Sequence, residues 1–148
     1  MNVATILKQK GGKIVSVKPD TTMQEAARLL ASERIGATLV LDGIVLDGKA
    51  KILGIVSERD IVRAVAAQGA DCLAKPVSSV MSSPVQTCRS SDTIDQLMSQ
   101  MTAGRFRHVP VVDAGRLAGI VSIGDVVKMR IAETELVVTA IRDYIAAH

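Results

Sequence analysis

The chain has 148 residues, 48% of them hydrophobic and 22% charged, with a formal net charge of +3. That share of apolar residues excludes disorder and suffices for one sizeable core or two small ones sharing an interface. Lys and Arg are spread along the chain, and Phe106 and Tyr144 are its only large aromatics, which argues against a nucleic-acid partner needing a basic footprint and stacking platforms.

Val3 to Gln9 reads as a short leading helix stopped by Gly11-Gly12, and Ile14 to Val17 as a strand broken by Lys18-Pro19-Asp20. Thr22 and Glu25 form a capping box ahead of Met23, Ala26, Ala27 and Leu30, which share one helix face. Ala37 to Leu41 and Lys51 to Val56 are apolar runs too short for helices. They are expected to pair as a hairpin, with Asp42-Gly43 and Asp47-Gly48 as its turn signals. A helix follows from Ser57 to about Gln68, then a linking turn over Pro76 to Met81.

The second half repeats this order. Val85 to Cys88 is expected as a strand, Thr93 and Gln96 as the cap of a helix reaching about Ala103, and Ile94, Leu97, Met98 and Met101 as its core stripe. Strands follow at His108 to Val112 and Arg116 to Val121, then a last helix from Ser122 running nearly to the C-terminus. Gly54-Ile55-Val56-Ser57-Glu58-Arg59-Asp60 recurs as Gly119-Ile120-Val121-Ser122-Ile123-Gly124-Asp125, and upstream Arg34 and Val40-Leu41-Asp42 recur as Arg105 and Val111-Val112-Asp113. A match this long marks a duplication. The expected boundaries are 1–76 for the first copy with its lead segment and 77–148 for the second with its helical extension.

Each Ser-x-x-Asp closes a strand-to-helix junction and has two readings. Ser and Asp can satisfy helix N-terminal amides as a capping box, or the carboxylate can accept hydrogen bonds from vicinal sugar hydroxyls. Arg107 and His108 stand at the entrance of a Val-Pro-Val-Val strand, where a cation can meet a phosphate or simply face solvent. Arg59, Arg63, Lys128 and Arg130 fit a solvated helix face.

Catalytic apparatus is not visible. The histidines are His108 and His148, neither arranged to activate Ser57 or Ser122, and no phosphate-binding loop, zinc-helix or dinucleotide fingerprint occurs. Cys72 and Cys88 lack metal or redox spacing, so no metal is expected and the thiols are expected reduced. With no signal peptide and no membrane-length apolar run, a cytoplasmic protein with no membrane partner is expected.

These motifs resemble the tandem cystathionine-β-synthase (CBS) domain pair, often called a Bateman module. The carriers are the two Gly-Ile-Val-Ser-x-x-Asp stretches, Gly36-Ala37-Thr38-Leu39-Val40, and Arg107-His108-Val109-Pro110-Val111-Val112-Asp113. The resemblance implies a mixed α/β (α+β) fold of two β-α-β-β-α motifs packed about a pseudo-twofold axis. It also implies adenosine-type ligands such as AMP, ATP, S-adenosylmethionine or NAD(H) in the clefts between copies. By that likeness Ser57, Asp60, Ser122 and Asp125 would hold ribose. Arg107, His108 and Pro110 would serve the Asp60 cleft, and Gly36 to Leu39, with Ala37 and Thr38 among them, the Asp125 cleft; Val109 and Ile120 complete the implied ligand-binding set. The basic pair Arg107-His108, which stands where the first copy has Gly36-Ala37, makes the Asp60 cleft the expected tighter site for phosphorylated ligands. A non-enzymatic, ligand-sensing homodimer acting on an unidentified protein partner follows, the alternative being a homo-oligomerisation module with vestigial clefts.

Overall fold

The computed structural model describes residues 1–46 and 49–148. Its elements run α1 (Val3–Lys10), β1 (Ser16–Val17), α2 (Met23–Glu33), β2 (Ala37–Leu46), β3 (Lys49–Ser57), α3 (Glu58–Gln68), α4 (Ile94–Gly104), β4 (His108–Asp113), β5 (Arg116–Ser122) and α5 (Ile123–Ala147). Two 3-10 turns, Ala70–Ala74 and Val77–Ser79, lie between α3 and α4. The chain divides into one unit of residues 13–86 with 114–117 and another of 1–12, 87–113 and 118–148.

In the unit of residues 13–86, the β-branched runs form a sheet of order β1-β2-β3, with β1 parallel and β3 antiparallel to β2. Ala37 stands opposite Ser57 in that register. The hairpin is longer than its apolar runs, and the register shifts after Val40 and again after Asp42. Gly43 takes a φ of 80°, a left-handed conformation that glycine adopts at little cost. The turn signal Asp47-Gly48 lies outside the described residues. Helix α2 starts on Thr22, whose hydroxyl accepts from the Glu25 N–H, and its Ala26 and Leu30 join Val40, Val56, Ile61 and Val77 in the core.

The other unit repeats the plan with one contraction. Val85 to Cys88, expected as a strand, is reduced to a single parallel bridge between Cys88 and Val111. Cys88 donates its N–H to Pro110 O at 3.0 Å and accepts from Val112 N at 2.8 Å, and no further residue of the segment extends the ladder. Helices α2 and α4 end alike, on Arg34 and Arg105 in the left-handed region at φ 55°.

The lead helix α1 belongs to this second unit, not to the first copy with which the sequence grouped it. Val3 and Ile6 are 0% and 3% exposed within the core of Ile94, Leu97, Val109 and Val121. Val3 N and Ala4 N donate to Asp92 O and Ser90 O, each at 2.9 Å. An amphipathic helix settles on whichever core leaves room for its stripe, and chain proximity does not decide which.

Cys88 lies in the same core, and burial, then the nearby Asp92 and Asp113, pushes its thiol from 9.0 up to about 12. With the folded value above the unfolded one, the group's contribution to stability holds below about pH 9 and is lost as pH rises toward 12. The thiolate is the reactive form, so Cys88 should resist alkylation at pH 8 until denaturant is added. Native-state labelling at the rate of a free thiol contradicts this.

Candidate functional site

Both repeated junctions fold into the same structure. Ser57 (φ −111°, ψ 163°) and Ser122 (φ −100°, ψ 163°) leave their strands extended and become N-caps of α3 and α5. Each Ser Oγ accepts from the Asp N–H three residues on, at 3.2 Å. Each Asp Oδ2 accepts from the Ser N–H, at 2.8 Å for Asp60 and 2.9 Å for Asp125, and from the Ser Oγ at 3.0 Å. These are complete capping boxes. Among the described residues the hydrogen bonds each carboxylate accepts fall on Oδ2, so capping and a second role for Oδ1 are compatible.

The residue ahead of the central strand closes each junction. Gly36 O accepts from Glu58 N at 2.9 Å, and Arg107 O accepts from Ile123 N at 2.8 Å. A backbone carbonyl does this work, which explains how the two copies carry glycine and arginine at the same position. The Arg107 side chain is exposed, His108 is half-buried at the start of β4, and Val109 and Pro110 are buried. In the first unit Ala37 and Thr38 are buried, and the Thr38 hydroxyl donates to Val15 O at 2.9 Å.

The glycine of the motif has a packing reason in the first unit. A Cβ on Gly54 would lie 2.6 Å from Met81 Sδ and 2.9 Å from Ser82 O, and the segment 81–82 is held by paired bonds between Ile55 and Ser82. At Gly119 the nearest atom is the flexible end of Leu7, at 2.8 Å.

One residue escaped the sequence reading. Lys10, the last of α1, places its Nζ 2.7 Å from Asp125 Oδ2 and 2.9 Å from Ile120 O. Burial opposes ionisation of Asp125, but the Lys10 ammonium, then the Ser122 N–H and hydroxyl, outweigh it and hold the carboxyl below its ordinary 3.8. Among the described residues no cation pairs with Asp60. The available signal was a cation ending a helix whose Val3, Ile6 and Leu7 form an apolar stripe. Which carboxylate it meets depends on where that stripe docks.

Among the described residues no cluster of three or more His, Cys, Asp or Glu could hold a metal, and no helix is long and apolar enough to cross a membrane.

The pattern of the CBS domain matches residues 9–67 and 77–131. A CBS-domain containing protein from Agrobacterium tumefaciens, ATU1752, has a crystal structure 52% identical, with a TM-score of 0.81 over 88% of this chain and 99% of its own. PAE2072 from Pyrobaculum aerophilum, a CBS domain protein solved with AMP, is 30% identical with a TM-score of 0.71, covering 84% of this chain and 89% of its own. The CBS domain pair of MJ0100, solved with 5′-methylthioadenosine and S-adenosyl-L-methionine, is 25% identical with a TM-score of 0.76, covering 90% and 98%. A 17.7 kDa protein of Acidianus ambivalens is 32% identical over 117 residues, and the match spans 78% of this chain and 66% of that one. With the repeated junctions and the mixed α/β units, these matches place the chain in the CBS-domain family, carrying two CBS domains in tandem.

Proposed function

We propose that the chain is a non-catalytic sensor module in which the Ser57–Asp60 and Ser122–Asp125 boxes hold the ribose of adenosine-containing ligands. The carrying observation is the repetition of the box in both copies, with the carboxylate bonded through Oδ2. A carboxylate can accept from both hydroxyls of a vicinal diol, and bonds to a charged acceptor are the strong ones. AMP, 5′-methylthioadenosine and S-adenosylmethionine, the ligands of PAE2072 and MJ0100, share the adenosine diol and differ in charge. Occupancy reaches a protein partner if the ligand's affinity differs between two arrangements of the module. Melting the protein against AMP, ATP, NADH and S-adenosylmethionine tests the reading. No shift with any of the four favours a purely structural module.

The exposed apolar residues support self-association as well. Ile131, Val138, Ile141 and Ile145 are 54%, 40%, 54% and 68% exposed on α5, at spacings that align them on one face. Glu135 and Arg142 flank the midpoint of that stripe, so an antiparallel helix from a second copy would set each opposite its complement. A homodimer is therefore expected at micromolar concentration by light scattering, and Val138→Glu with Ile141→Glu should make it monomeric. A monomeric parent protein refutes this.

A further inference from the structure

The two carboxylates differ, among the described residues, in one respect that the duplication does not explain: Asp125 Oδ2 carries an ammonium and Asp60 Oδ2 does not. A lysine in the last turn of a helix is ordinarily a favourable end charge, and an exposed ion pair contributes little to stability. Lys10 is placed more definitely than that. Its helix is fixed by buried Val3 and Ile6, and Leu7 lies against Gly119 beside the junction. Both acceptors of Nζ, the Asp125 carboxylate and the Ile120 carbonyl, belong to the set assigned to ligand.

Oδ2 of Asp125 therefore holds three donors: the Ser122 N–H, the Ser122 hydroxyl and Lys10. A ribose that engages both carboxylate oxygens must displace the one donor on a movable stem. Four methylenes on rotatable bonds let the ammonium swing away while α1 stays docked. A neutral nucleoside leaves the displaced cation with solvent alone and forfeits the ion pair. A ligand bearing a phosphate offers it a new partner and recovers that loss.

Resting on the ribose-binding reading above, we propose that Lys10 is the selectivity residue of the Asp125 site, favouring phosphorylated adenosine ligands over neutral ones. The sequence, seeing only Arg107 and His108, put the phosphate preference at Asp60. The Lys10 ion pair supplies a cation at the other carboxylate.

The test uses the full chain carrying Asp60→Asn, so that the Asp125 site is read alone, and measures adenosine and AMP binding calorimetrically with Lys10, Lys10→Met and Lys10→Arg. Met keeps the stem and loses the charge. The expected result is a fall of about tenfold in the AMP-to-adenosine affinity ratio in Lys10→Met, with adenosine bound as well as before or better. Lys10→Arg should keep most of the ratio. Asp125→Asn protein should show a ratio indifferent to residue 10. An unchanged or larger ratio in Lys10→Met overturns the role of Lys10 while leaving ribose binding intact. Failure of the parent protein to bind either probe overturns the ribose-binding reading itself, and this inference with it.

Discussion

Asp60→Asn and Asp125→Asn should each weaken AMP binding at their own site by about thirtyfold while lowering stability by at most about 1 kcal/mol. The asymmetry follows from what asparagine keeps. Its amide oxygen can still accept the Ser57 or Ser122 N–H, and the serine hydroxyl still receives the N–H of residue 60 or 125, so most of the capping box survives. An amide cannot accept two hydroxyls with the strength of a carboxylate, and each bond to a charged group is worth about 1 kcal/mol more than its neutral counterpart. Calorimetry with AMP on the single and double variants, beside urea denaturation, measures both halves. Parent-like affinity in both single variants would show that the boxes are helix caps and nothing more.

The second large effect is on folding. Ile6→Ala should cost about 3 kcal/mol, within the range of buried Ile and Leu truncations, because Ile6 is 3% exposed in the core of residues 87–113 and 118–148. An ordinary lead segment would tolerate the change within about 0.5 kcal/mol. Urea denaturation decides between them. A cost below about 1 kcal/mol would mean that α1 is not docked as the structure has it.

That helix also shows where the sequence was legible and where it was not. Its existence follows from the Val3, Ile6 and Leu7 stripe and its end from Gly11, which sits at φ 89°. The core it joins depends on tertiary packing, and with it the partner of Lys10. The starts of α2 and α4 were readable because Thr22 and Thr93 cap them through local bonds three residues long. The segment before α4 was misjudged because β-propensity expresses what a strand can pair with, and in the described structure only Cys88 finds a partner. For the Ser-x-x-Asp motifs, capping and ligand binding stood as rivals in the sequence, whereas Oδ2 bonding makes them compatible. Arg107 drew attention for its charge, yet its defined contact is a carbonyl, as at Gly36.

The most direct test of ribose recognition compares AMP with 2′,3′-dideoxy-AMP, which keeps base and phosphate and lacks both hydroxyls. Thermal denaturation of the parent protein at 100 times the AMP dissociation constant should show about 2.7 kcal/mol of stabilisation by AMP. The dideoxy analogue at the same concentration should give little or none. Equal stabilisation by the two would contradict the account, since Asp60 and Asp125 would then not be reading the diol.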